Sequence, residues 1–161
     1  MDTTSEAPIR VLVADDDALI LKCYRRALAH APAAGADLES LSEELFDSTA
    51  KSTPQPAFEL VECSQGNEAL AAAEAAMAED EPFDVVVLDV RMPPGINGVE
   101  VGERIRRADP EVPIVFVSGY SDVSHQELAR RVPPASRLHV YAKPLSFKSL
   151  ARDIATIVRK M

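Results

Sequence analysis

The sequence predicts an α/β protein: a doubly wound, five-stranded parallel sheet with helices on both faces. Two observations carry this. Short apolar runs alternate five times with helix-patterned segments, and the central runs are continuously apolar instead of alternating. Strands covered on both faces read that way. A chain of 161 residues, 47% hydrophobic, is one domain's worth and long enough to bury a core.

Each element follows in order. Residues 9–14 (IRVLVA) form an apolar run that stops at three aspartates, as a buried strand entering a loop would. From Ala18 to Ala31, apolar residues recur at Leu19, Cys23, Ala27 and at Ile20, Tyr24, Leu28, which is helical spacing; Pro32 and Gly35 end it. Residues 32–57 lose the rhythm and read as an insertion. Inside it, LESLSEELF places Leu38, Leu41 and Leu45 on one side of a short helix, either a flap on the domain's own surface or a docking element. A strand follows at 58–63 and a helix at 67–79. Next come a strand at 84–88 (DVVVL) and a helix at 98–108 with Val99, Val101 and Ile105 inward. The chain closes with strand 114–117, helix 122–131, strand 138–142 and helix 146–160.

Composition narrows the function classes. A net charge of −9 counts against a nucleic-acid partner. Residues 1–8 are a tail with neither the basic start nor the apolar stretch of a secretory signal. No apolar run approaches the ~20 residues of a membrane span. The expectation is a soluble, cytoplasmic chain with no membrane partner. Cys23 and Cys63 form no CxxC pair and read as reduced thiols in or near the core.

The informative polar residues share one structural position. Asp15 and Asp16 follow the first strand, Asp89 ends the third, Ser118 follows the fourth and Lys143 follows the fifth. In an open parallel sheet these points lie at the carboxyl edge, where such folds place ligands. Three clustered carboxylates repel and require cations. Lys143 supplies one positive charge and a divalent metal two. Hard oxygen donors with room for water suit Mg²⁺, and no His or Cys at the site favours zinc. A carboxylate, a hydroxyl and an ammonium beside Mg²⁺ are the parts phosphoryl transfer needs.

Four motifs extend the argument: ADDD after strand one, LDVRMPPGING after strand three, VSGYSD after strand four and AKP after strand five. Together they resemble the receiver domain of two-component response regulators, from Ile9 to the end except for 32–57. The resemblance implies the strand order 2-1-3-4-5 and makes Asp89 the phosphoacceptor. It gives Mg²⁺ to Asp16 directly, to Asp15 directly or through water, to Asp89, and to the backbone carbonyl of Arg91. Ser118 takes the place of the switch hydroxyl, Lys143 pairs with the acceptor, and the Lys143–Pro144 bond is expected to be cis. The implied partner is a sensor histidine kinase or a histidine phosphotransfer protein, with a homodimer also in view. The implied output surface is the helix four–strand five–helix five face. The MPPGING loop and the insertion after helix one are similar to a receiver subtype found in hybrid sensor kinases. The chain reads as a stand-alone receiver or as a receiver cut from a longer protein, and as a phosphoacceptor, not an enzyme.

One departure stands out: the family's aromatic three residues before the lysine is here Val140, and the neighbouring Tyr141 points to the other face of its strand. Two other readings stay open. One is a receiver-like binding module that is never phosphorylated. The other is a Mg²⁺-dependent phosphatase with an aspartyl nucleophile, although such enzymes carry that nucleophile on the first strand. Around the site, Asp17 reads as a helix cap, Gly98 as a turn residue, and the Arg91 side chain as a phosphoryl contact or a solvated arginine. His125 and His139 read as ordinary residues at or near the surface.

Overall fold

A computed structural model of the chain describes residues 7–28, 57–93, 95–119 and 123–160. The expected insertion at 32–57, apart from Ala57, and most of the tail at 1–8 lie outside the described residues. Five strands, β1 (Ile9–Ala14), β2 (Phe58–Cys63), β3 (Val85–Asp89), β4 (Ile114–Ser118) and β5 (Leu138–Ala142), form one sheet in the order β2-β1-β3-β4-β5. All neighbours are parallel, with Val11 opposite both Leu60 and Val85, Val87 opposite Val115, and Ser118 opposite Ala142. Among the described residues, five α-helices connect and follow them: α1 (Ala18–Leu28), α2 (Gly66–Ala78), α3 (Gly98–Ala108), α4 (His125–Arg131) and α5 (Phe147–Arg159).

The continuous apolar runs occupy the centre because both of their faces are covered. In β1, β3 and β4, Leu12, Ala14, Val86, Leu88, Ile114 and Phe116 pack against α2, α3 and Leu128 of α4. The alternate residues Val11, Val13, Val85, Val87, Val115 and Val117 pack against Tyr24 and Leu28 of α1 and Leu150 and Ile154 of α5. This is the period of two of a pleated strand with a core on each side. The strands with interspersed polar residues, β2 (FELVEC) and β5 (LHVYA), form the edges and stay partly exposed.

Some boundaries and faces differ from the sequence expectation. Of the two apolar stripes on α1, Ile20, Tyr24 and Leu28 turn toward the sheet, whereas Leu19 is 69% exposed. The helix expected from residue 122 begins at His125, because the Ser124 side chain accepts from the Glu127 amide and caps it there. The strand expected at 84–88 runs from Val85 to Asp89, so the acceptor candidate is the last strand residue. Residues 29–31, expected in the first helix, lie outside the described residues.

Candidate functional site

The sheet topology brings β1, β3, β4 and β5 side by side, so the groups at their carboxyl ends meet. Asp15, Asp16 and Asp89 each offer a carboxylate oxygen within 4.8 Å of the others. The Lys143 Nζ stands 3.2 Å from Asp89 Oδ2 and 3.6 Å from Asp15 Oδ2. The first of these is a hydrogen bond; the second is longer than one and is an ionic contact only. Asp15 is fully buried and Asp89 nearly so, while Asp16 is exposed. The cluster therefore has two carboxylates set into the protein and a third at its mouth.

Local backbone structure holds each group. Asp15 donates its amide to the Cys63 carbonyl at 3.1 Å, and its Oδ1 accepts from the Asp17 amide at 2.9 Å. Asp17 does cap α1, its Oδ1 accepting from Leu19 N–H at 2.9 Å. Asp89 Oδ1 accepts a long contact from the Arg91 amide, 3.4 Å. The Ser118 hydroxyl, largely buried, donates to the Gly119 carbonyl at 2.9 Å, and the Ser118 carbonyl accepts from the Lys143 amide at 2.9 Å. The structure thus brings Asp15, Asp16, Asp89 and Lys143 together, and sets Ser118 on the neighbouring strand end with its hydroxyl turned to its own loop. The Lys143–Pro144 bond is cis, as the resemblance implied, and Pro133–Pro134 is cis as well.

Two glycines shape the loop between β3 and α3; in the sequence Gly98 reads only as a turn residue, and Gly66 does not stand out. A Cβ on Gly98 would stand 1.9 Å from the Asp89 carbonyl oxygen, so this position serves close backbone approach to the end of β3 and not merely a turn. A Cβ on Gly66, at the start of α2, would stand 2.6 Å from the Ile96 carbonyl oxygen. The loop is thereby pressed against β3 on one side and α2 on the other. Only tertiary packing reveals this; the Asn97–Gly98 pair signalled just the helix start, and Asn97 does cap it by accepting from the Glu100 amide.

Electrostatics follow from burial and charge crowding. The Asp15 carboxyl is raised to about 6, by burial first and by Asp89 and Asp16 as well, against the Asp17 amide and Lys143, which hold it back. Burial likewise raises Asp89 against the pull of Lys143. Burial would lower the Lys143 ammonium, but Asp15 and Asp89 outweigh that and raise it. Asp15 Oδ2 is buried with no hydrogen-bond partner. An orphaned acceptor beside two further carboxylate oxygens has the donor set of a hard divalent cation, so the residues fit one.

The Asp15 shift gives a stability prediction. Between the ordinary value near 3.8 and about 6, the folded state holds a proton that the unfolded state has released. Metal-free stability therefore falls as pH rises through this window, and the full cost is about 3 kcal/mol at about 1.4 kcal/mol per pKa unit. An Asp15→Asn variant is expected to melt about 3–8 °C higher than wild type at pH 7.5 without metal. It should also lose most of the melting-temperature rise that Mg²⁺ gives the wild type. Thermal melts at pH 5 and 7.5, with and without Mg²⁺, measure both; a variant that melts lower at pH 7.5 would contradict the burial argument.

Val140 packs in the α2–α3–α4 core, whereas Tyr141 lies on the other face and donates to Asp153 Oδ2 of α5 at 2.9 Å. His125 is exposed and His139 partly buried, with burial lowering the His139 imidazole. Cys63 is buried and Cys23 partly so, and both are free thiols. Among the described residues, no helix is long and apolar enough to cross a membrane.

A parallel 2-1-3-4-5 sheet with an acid cluster and a lysine at its carboxyl edge defines a receiver-type domain. The family model of the response regulator receiver domain matches residues 39–154, and the chain belongs to that family, the phosphoaccepting switch modules of two-component signalling. The matched span begins downstream of β1, so the placement of Asp15 and Asp16 in the site rests on the structure itself. Among curated relatives, the chain is 32% identical over 99 residues to "Sensor kinase CckA" of Brucella abortus (strain 2308), covering 62% of this chain and 10% of that protein. It is 30% identical over 83 residues to "Response regulator receiver protein CpdR" of the same organism, covering 52% of this chain and 62% of the relative. The chain thus spans only part of the length of both. Among solved structures it resembles a response regulator receiver protein from Sinorhizobium medicae WSM419, at TM-score 0.64 and 22% identity over 94% of this chain and 95% of the other. It also resembles a CheY-like receiver domain protein from Methanospirillum hungatei JF-1, at TM-score 0.65 and 19% identity over 96% of each. At these identities the two structures speak for the fold.

Proposed function

We propose that Asp89 accepts a phosphoryl group from the phosphohistidine of a sensor histidine kinase or histidine phosphotransfer protein. The carrying observation is the buried pair Asp15 and Asp89 bridged by Lys143, with one Asp15 oxygen left without a hydrogen-bond partner. Asp15, Asp16, Asp89 and the Arg91 backbone carbonyl would hold Mg²⁺, which supplies charge neutralisation to the transferring group. An Asp89 carboxylate oxygen forms the new P–O bond as the P–N bond of the donor breaks, and the imidazole nitrogen keeps the electron pair, the ring leaving as neutral imidazole because its other nitrogen already carries a proton. Lys143 follows one phosphoryl oxygen with its ammonium. The Ser118 hydroxyl leaves the Gly119 carbonyl and donates to another phosphoryl oxygen, which couples the new charge to the loop after β4. With Val140 in place of an aromatic and Tyr141 tied to Asp153, the signal reaches the α4–β5–α5 face without a swinging ring.

The chain acts in this reading as a cytoplasmic signalling module of the hybrid-kinase subtype and not as an enzyme. Intact-mass measurement after incubation with acetyl phosphate tests it. One phosphoryl group is expected on the wild type, dependent on Mg²⁺ and mapped by peptide analysis to Asp89. No Mg²⁺-dependent gain would leave a receiver-like binding module instead, and sustained turnover of an aryl phosphate would favour a phosphatase.

A further inference from the structure

Two helical surfaces on opposite sides of the sheet, α1 with α5 and α2, carry opposite charge. The sequence of α1 contains no acidic residue, and its exposed charged side chains Lys22, Arg25 and Arg26 are all basic. Its neighbour α5, joined to it by the edge-to-face contact of Tyr24 and Phe147 with ring centroids 5.0 Å apart, exposes Lys148, Arg152 and Arg159. The single acid of α5, Asp153, is partly buried and accepts from the Tyr141 hydroxyl. Across the sheet, α2 contains no basic residue; it exposes Glu68 and Glu74, and the chain just beyond it exposes Glu79, Asp80 and Glu81. Arg25 is paired with Glu62 of β2 at 2.7 Å; in a chain of net charge −9, two neighbouring helices whose other exposed charges are all basic are out of keeping with the average.

Each charged face also holds one exposed large hydrophobic side chain. Among the described residues there are two, Leu19 on α1, 69% exposed, and Met77 on α2, 37% exposed. The exposed positions beside Met77 include Ala75 and Ala78, small enough to let another backbone come close.

We propose that the α1–α5 face of one molecule docks on the α2 face of a second copy of this chain. Lys22, Arg26, Lys148 and Arg152 then oppose Glu74 and Glu79, and Leu19 and Met77 supply the apolar contact. The two faces lie on opposite sides of the sheet, so they cannot meet within one molecule. Neither face is complementary to itself, which makes the contact heterologous and leaves one free face of each sign on every pair. Exposed charges are screened by salt beyond about 10 Å at 0.1 M ionic strength, so the association is weak and salt-sensitive. It shares α5 with the α4–β5–α5 face and differs from a dimer there in using α1 and α2.

Sedimentation velocity on the whole chain tests this, over protein concentrations up to about millimolar, in about 20 mM and about 500 mM NaCl. The sedimentation coefficient is expected to climb with concentration in low salt and to stay flat in high salt. Neutralising the basic face (Lys22→Gln, Lys148→Gln, Arg152→Gln) or the acidic face (Glu74→Gln, Glu79→Gln) should each give a folded monomer, with folding checked by circular dichroism. Mixing the two variants should restore a one-to-one pair that grows no further, since each brings one intact face. A wild type that stays monomeric in low salt overturns the proposal. So does either variant associating like the wild type, or a mixture that stays monomeric.

Discussion

An Asp89→Asn variant is expected to take up no phosphoryl group from acetyl phosphate while melting at a higher temperature than wild type in the absence of metal. The two effects have one origin. Asp89 is 5% exposed and sits in a cluster with Asp15 and Asp16. Burial raises its carboxyl above the ordinary value despite Lys143, so the ionised form works against folding at neutral pH. The amide fills the same space without charge, and Lys143 keeps its contact with Asp15. What the amide lacks is the nucleophile. A neutral amide oxygen is a poor attacking group and offers no stable acyl phosphate. One of three carboxylates also leaves the cation site, so Mg²⁺ affinity should fall at least about tenfold, since even outer-shell changes cost that much. Intact-mass analysis, metal-free melts at pH 7.5 and a Mg²⁺ titration read the three consequences separately. Phosphoryl uptake by the variant equal to wild type would move the acceptor role to another residue.

Much of this site is legible in the sequence because the fold converts sequence position into spatial position. The runs VLVA, VVVL and IVFV could only be strands covered on both sides, and once they are parallel their carboxyl ends share one edge. That is why Asp15, Asp16, Asp89 and Lys143, far apart along the chain, were expected together and are together. What the sequence does not disclose is anything decided by tertiary packing. The stripes Leu19–Cys23–Ala27 and Ile20–Tyr24–Leu28 differ by one residue, about 100° around a helix, and periodicity cannot choose between them. Packing against Phe147 and the sheet chooses the second, and Leu19 is left outside. The direction of the Ser118 hydroxyl depends on a single rotamer and on the Gly119 carbonyl beside it. The role of Gly98 depends on how closely its backbone passes the Asp89 carbonyl, a distance no local pattern encodes.

Replacing Lys143 with methionine should separate the structural from the chemical role of its ammonium. Its Nζ is 3.2 Å from Asp89 and 3.6 Å from Asp15, and it is the one cation paired with both among the described residues. Methionine keeps much of the stem and removes the charge, leaving two buried carboxylates facing each other. Truncating one partner of a buried pair costs about 3–5 kcal/mol in closed sites, and with the Lys143 side chain 31% exposed a loss of about 1–3 kcal/mol at pH 7.5 is expected. The loss should shrink at pH 5, where a carboxyl raised to about 6 is protonated and no longer needs a counter-charge. Added Mg²⁺ should recover much of the stability at pH 7.5, because two positive charges replace one. It should not recover the rate. In the proposed transfer the ammonium would donate to the developing phosphoryl charge, and losing one such donor costs about 100- to 1000-fold. A Lys143→Arg variant keeps the charge, so its stability should stay near wild type. Its planar fork does not reproduce a compact point donor, and its rate should fall between the other two. Phosphorylation of the methionine variant at the wild-type rate in saturating Mg²⁺ would reduce Lys143 to a counter-ion for Asp15 and Asp89 and remove it from the transfer step.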